Sequence, residues 1–204
     1  MRPSFFIFIA YINIIDLLYF LKINTYEVYL ITSDIISDLT GKRIPKLSLT
    51  ATNGGKVDIS TLNGISIIYI YPRTSPPNEP PLKGWDKIPG ARGCTLQSRN
   101  YATNYKAILS AGADRVYGLS TQKSGYQKEA VKRLSLPFHL LSDNNLSLAT
   151  TLGLPTFKIG DTTLLIRITL ILQNGRIKKV FFPIKSPEKN AALVLQYLSG
   201  TELK

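Results

Sequence analysis

The chain has one cysteine (Cys94), one histidine (His139), one methionine and one tryptophan among 204 residues. A single thiol excludes an internal disulfide and a cysteine-built zinc site. It leaves three roles for Cys94: an inert buried side chain, half of an intermolecular bridge, or a nucleophile. One histidine offers a Cys–His pair but no material for a histidine metal centre, so neither a metal nor another cofactor is expected. Acidic residues are also scarce, 13 against 25 Lys and Arg, for a formal net charge of +12. Such a balance invites a nucleic-acid reading. The basic residues, however, form short clusters at Lys42/Arg43, Lys132/Arg133 and Arg176/Lys178/Lys179 rather than a run, and no zinc finger or RNA-recognition signature accompanies them. The charge is read as a basic surface that concentrates anionic substrates, not as a nucleic-acid site.

What is present is ordinary globular material: 44% hydrophobic and 19% charged residues, enough for one buried domain. The run Phe5–Leu21 is strongly apolar and follows Arg2, but it carries Asn13 and Asp16 and is at the short limit for a bilayer span. Residues 1–40 are therefore expected to be an extension, serving as an anchor, a targeting segment or packed structure, ahead of a domain at 41–204.

From Gly41 onward the pattern alternates between periods of two and near four. Residues 45–50 and 57–60, joined through Asn53-Gly54-Gly55, predict a hairpin. Ile65–Tyr71 is a β-branched run ending at Pro72, as in a strand buried on both faces. A loop rich in Pro and Gly covers 73–93. Leu96, Ala102, Tyr105, Ile108 and Leu109 then recur at helical spacing up to Gly112. Strands at 115–120, 138–141, 163–172 and 176–182 and helices at 126–134, 145–152 and 187–198 complete the series. The alternation predicts an α/β sandwich with a mixed central sheet, an N-terminal β-hairpin and flanking helices.

Cys94 falls where the loop Ile88–Gly93 runs into a helix. A helix N-terminus presents unpaired backbone N–H groups and the positive end of the macrodipole, and both favour thiolate, the nucleophilic form, over thiol. Loop glycines let backbone donors come close to a bound oxygen. Arg167 stands inside the apolar run Leu164–Leu170, where a guanidinium is costly unless it reaches water or an anion. With one thiol in the chain, the Cys94 thiolate is the natural candidate for that anion.

The segments Tyr71-Pro72, Pro89-Gly90…Gly93-Cys94-Thr95-Leu96-Gln97, Gly118–Thr121, Leu141–Asp143, Arg167–Ile171 and Asn174–Ile177 follow the order seen in peroxiredoxins. The chain resembles the bacterioferritin comigratory protein branch of the alkyl hydroperoxide reductase and thiol-specific antioxidant family, over about Gly41 to Leu198. The resemblance implies a thioredoxin-like fold, a peroxide substrate, Cys94 as the peroxidatic cysteine, Arg167 as its stabiliser and Pro72 as a shield of the pocket. Gly93, Thr95 and Gln97 flank the cysteine and are the candidate substrate contacts; Gln97 either orients the loop or faces solvent. Two departures stand out. The motif position for a Thr or Ser, three before the cysteine, is Ala91, so its hydroxyl must come from Thr74, Ser75 or Thr95, with Thr74 preferred. The position five after the cysteine, where relatives often carry a resolving thiol, is Arg99. Recycling then falls to an external donor: thioredoxin, glutaredoxin, glutathione or a similar thiol.

The resemblance leaves monomer or dimer open. It is compatible with a cytoplasmic or organellar location, or with a membrane contact through residues 5–21. A Cys-x-x-Cys oxidoreductase lacks its second thiol here, since the position is Gln97. The alternative is a non-catalytic or redox-sensing binding protein on the same fold.

Overall fold

The computed structural model describes Ile36 and residues 38–200. The apolar run 5–21, with its anchor or targeting reading, lies outside the described residues.

A seven-stranded mixed sheet forms the centre, in the order β2-β1-β5-β4-β3-β8-β9. Its strands are β1 (Leu49–Ala51), β2 (Lys56–Val57), β3 (Ile65–Ile70), β4 (Arg115–Ser120), β5 (Leu140–Ser142), β8 (Ile168–Gln173) and β9 (Arg176–Phe181). β3, β4 and β5 run parallel, while β1, β8 and β9 add antiparallel. Two helices, α1 (Cys94–Ser110) and α2 (Ser124–Arg133), make the crossovers between the parallel strands, as such strands require. The shorter α3 (Ser147–Leu152) and the C-terminal α4 (Asn190–Leu198) complete the set, and a 3-10 turn at Pro187–Lys189 leads into α4. The predicted hairpin exists but is shorter than its sequence pattern, pairing Leu49 with Val57 and Thr50 with Lys56.

Both faces of β3 are covered, which explains its unbroken apolar run. Ile68 and Ile70 join Leu119, Leu141, Leu170 and α3 residues Leu148 and Leu152 on one side, where Ile36 and Leu39 also pack. Ile67, Tyr69 and Tyr71 join Tyr101 and Ile108 of α1, Ala130 of α2 and Val194 of α4 on the other. Cys94 belongs to this second layer.

The single strand predicted at 163–172 is instead two. Residues Thr162–Leu165 (β7) pair with Thr156–Ile159 (β6) in a separate two-stranded ribbon, and the central sheet resumes only at Ile168. The break is at Ile166 and Arg167. A guanidinium inside a sheet packed on both faces has nowhere to place its charge, so the chain leaves the ladder there. Ile166 N–H instead bonds Pro155 O at 2.9 Å. Among the described residues, no helix is long and apolar enough to cross a membrane.

Candidate active site

The site starts from a glycine. Gly93 precedes α1 with φ +99°, a conformation open mainly to glycine, and a Cβ there would lie 2.8 Å from Pro187 Cγ. Gly93 thus turns the loop and lets it sit directly on the turn before α4. Cys94 follows as the first residue of a 17-residue helix, 4% exposed. Its position exposes the sulfur to the helix N-terminal dipole.

Arg167, 3% exposed, reaches the same point from the break between β7 and β8. Its Nη2 donates to Cys94 Sγ at 3.1 Å and shares its hydrogens with Arg92 O at 2.9 Å and with Gly90 O and Ala91 O at 3.2 Å. Nε adds a 3.3 Å bond to Gly90 O, and Nη1 donates to Gln97 Oε1. All these oxygens are neutral. Among the described residues the ion pairs are Arg73–Glu79, Arg92–Asp86 and Arg133–Glu129, so no carboxylate pairs with Arg167. A buried cation without a counter-ion is costly, and among the described residues the ionisable side chain that hydrogen-bonds it is the thiol. As a thiol, Cys94 donates to Ala91 O at 3.5 Å; as a thiolate it loses that bond and gains the guanidinium as its counter-ion. Burial holds the Tyr69 and Tyr71 phenols well above the ordinary tyrosine range, so both stay neutral near the sulfur.

Behind the pair lies a buried network that the sequence reading missed. Gln97 is fully buried and absent from the cleft: one helical turn after Cys94, it shares that residue's inward face rather than meeting solvent or substrate. Its Nε2 donates to Asn190 Oδ1 at 2.9 Å, and the same oxygen accepts from Tyr101 OH and Thr169 Oγ1, both at 2.8 Å. The spacing of Cys94, Gln97 and Tyr101, three then four residues apart, is the signal that could have flagged the helix members. Asn190, immediately before the apolar run Ala191–Leu195, offered only its polarity.

The open side is a cleft of about 410 Å³ lined by Cys94, Gly93, Thr95, Thr74, Leu82 and Trp85, among others. Its outer wall is the Pro-rich loop. Arg73 ion-pairs with Glu79, bonds Ser75 Oγ at 3.1 Å and lies 5.8 Å over the Tyr126 ring. Tyr126 OH donates to Glu79, and burial together with that bond holds its proton above the ordinary tyrosine range. Trp85 contacts Phe157 at 6.4 Å between ring centroids.

Thr74 reaches the cleft, but its hydroxyl is turned to Gln122 Oε1 at 3.4 Å, because Gln122 clamps both the N–H and the C=O of Thr74. Among the described residues the sulfur's polar partners are Arg167 and Ala91; neither Thr74, Ser75 nor Thr95 bonds it. Pro72 is buried one residue before the cleft wall begins at Arg73 and does not itself line the cleft. Arg99 and His139 are exposed. Among the described residues no cluster of His, Cys, Asp or Glu could hold a metal ion.

With this geometry in hand, known proteins supply the context. The family profile described as Redoxin matches residues 39–195. Peroxiredoxin Q, chloroplastic, of Sedum lineare is 30% identical over 162 residues, covering 78% of this chain and 77% of that protein. Peroxiredoxin Q, chloroplastic, of Oryza sativa subsp. japonica is 29% identical over 162 residues, and the chain spans 66% of its length. Among solved structures, peroxidoxin BcpB from Mycobacterium tuberculosis superposes with a TM-score of 0.64 at 18% identity, over 80% of this chain and 98% of that one. Xanthomonas campestris peroxiredoxin Q gives 0.61 at 20% identity, with the same coverage. These structural likenesses speak to the fold, which is thioredoxin-like.

Proposed function

The chain belongs to the Redoxin family, in its peroxiredoxin Q and bacterioferritin comigratory protein-like branch, and from that premise we propose that Cys94 reduces hydrogen peroxide and organic hydroperoxides as the nucleophile of a thiol-dependent peroxidase. The observation that carries the proposal is the buried Arg167 guanidinium, 3.1 Å from the sulfur and without a carboxylate partner among the described residues.

The Cys94 thiolate attacks the terminal oxygen of the peroxide. An S–O bond forms, the O–O bond breaks, and the leaving hydroxide or alkoxide takes a proton to become water or alcohol. Arg167 Nη2 donates to the sulfur itself, so its positive charge serves both the thiolate and the negative charge developing on the leaving oxygen. Gly93, Thr95 and Thr74 line the cleft by which the peroxide would approach. Pro72, buried and without an N–H, follows β3 by two residues behind the cleft wall and offers that flank no competing donor.

With one cysteine, the sulfenic acid must condense with an outside thiol, forming a mixed disulfide and releasing water. A second thiolate then displaces Cys94 and leaves as the donor's disulfide. Thioredoxin, glutaredoxin or glutathione fits this step, and regeneration assays with each distinguish them. The relatives reported above are chloroplastic by name, and an organellar site for this chain is part of the proposal; residues 1–38 fused to a reporter test it.

The decisive experiment follows peroxide consumption by the purified chain with dithiothreitol as donor. Consumption is expected for the native protein and none above background for Cys94→Ser, with a sulfenic-acid probe labelling only the former. Equal inertness of both proteins, with no labelling, overturns the reading.

A further inference from the structure

We infer that Asn190, on the C-terminal helix, is a positioning residue for the cysteine site, aiming Arg167 at Cys94 by fixing the side-chain amide of Gln97. The argument is one of donors and acceptors. Arginine can only donate, so the Gln97 atom facing Arg167 Nη1 must be the amide oxygen. That leaves the Gln97 NH₂ facing Asn190 at 2.9 Å, and the Asn190 atom that meets it must be an acceptor. Tyr101 and Thr169 place hydroxyls on the same oxygen at 2.8 Å each. Every group in this chain from Arg167 to Asn190 is buried, with Gln97, Tyr101, Thr169 and Asn190 at 0% exposure.

The other half of the Asn190 amide makes the point from the opposite direction. Its Nδ2 is buried and has no partner among the described residues. An unsatisfied buried donor is a cost that the fold carries for the sake of the oxygen beside it. The carbonyl is therefore the working half of the side chain. If it is removed, Gln97 is free to rotate, and a rotated Gln97 turns its NH₂ toward a guanidinium that cannot accept it. The segment is also tied to the cysteine helix at two neighbouring points. Ala191 N–H bonds Asn100 Oδ1 at 2.8 Å, and Pro187 packs on Gly93. The turn and first residues of α4 thus back the first two turns of α1, and the C-terminal helix is part of the site without touching the cleft.

The catalytic consequence rests on the peroxidase reading, so the test uses two readouts. The first is the second-order rate with hydrogen peroxide. The second is the pH profile of Cys94 alkylation by iodoacetamide, which needs no turnover. Asn190→Ala is expected to lower the peroxide rate about tenfold, as small misplacements of a reacting pair do, and to move the alkylation profile to higher pH. In a Gln97→Ala background the same substitution is expected to add nothing further. Asn190→Asp keeps the acceptor oxygen and is expected to stay within about threefold of native; it serves as the test if the alanine variant does not fold.

Unchanged rate and profile in Asn190→Ala overturn the inference, as does an additive effect with Gln97→Ala. An Asn190→Asp loss as large as that expected of alanine also overturns it. A native protein inert to peroxide, with the alkylation shift still present, would sink the peroxidase reading and leave the positioning role standing.

Discussion

The two layers that hold the cysteine site are built by different physics. The inner wall, which backs the cleft without lining it, is buried: Arg167, Gln97 and Asn190 are each under 4% exposed and are linked in series by side-chain hydrogen bonds, with loop carbonyls taking other donors of the Arg167 fork. The outer wall, the Pro-rich loop, is held by pairs that meet water. Arg92 and Asp86 are 72% and 56% exposed, and Glu79, which pairs with Arg73, is 34% exposed. Exposed ion pairs contribute about 0–1 kcal/mol each, whereas stripping one partner from a buried polar group costs about 1–3 kcal/mol. The difference teaches where precision and adaptability reside. On the proposed reading, the guanidinium that would polarise the peroxide is held by buried bonds before substrate arrives, while the wall that would meet the rest of the substrate is held by weaker, water-exposed ones.

This contrast can be broken, most severely at Arg167. Arg167→Gln removes the charge and most of the fork, and kcat/KM for hydrogen peroxide is expected to fall about 10²–10³-fold, the scale of losing a preorganised oxyanion donor. Stopped-flow peroxide consumption measures it, and a loss under tenfold would mean that the inner wall is not the catalytic one. Gly93→Ala comes next. A methyl group 2.8 Å from Pro187 Cγ, on backbone at φ +99°, is expected to destabilise the fold by about 1–3 kcal/mol, read by urea unfolding.

On the outer wall the effects should shrink. Tyr126→Phe removes the hydroxyl that donates to Glu79 and is expected to cost at most about 1 kcal/mol, with KM for a bulky hydroperoxide such as cumene hydroperoxide changing more than that for hydrogen peroxide. Equal changes for both substrates would show that the loop acts on chemistry rather than on fit. Asp86→Asn should do least. The Arg92 hydrogen bond lowers the Asp86 carboxyl from its ordinary value, so any stabilisation is present above the unfolded-state value and lost as pH falls through the lowered one. Both side chains stand in water, and thermal melts of variant and native protein are expected to coincide across that acid range.

Of the inner wall, the Cys94–Arg167 pair was legible in sequence, and for a reason. An arginine inside Leu164–Leu170 violates the apolar pattern so plainly that an anion had to be sought, and a chain with one thiol offered Cys94. The thioredoxin-like sheet could be read because Ile65–Ile70 and the strands beside it carry period and composition together. What failed was continuity. An unbroken β pattern at 163–172 concealed a change of sheet, because residue type does not reveal which partner a strand pairs with. Thr74 was expected on the sulfur, yet Gln122, 48 residues away, takes both its peptide groups and its hydroxyl.

The sequence by itself singled out the atoms to which the proposed chemistry is assigned. It allows one thiol, placed at a helix start by a glycine-turned loop, and one guanidinium in a stretch where charge must find a partner. Tertiary structure alone decided how those atoms are held. Gln97 meets Asn190 across 93 positions, and Arg167 meets Cys94 across 73. Periodicity reports which side of an element faces inward, but a hydrogen bond between two inward faces depends on the path of the whole chain between them.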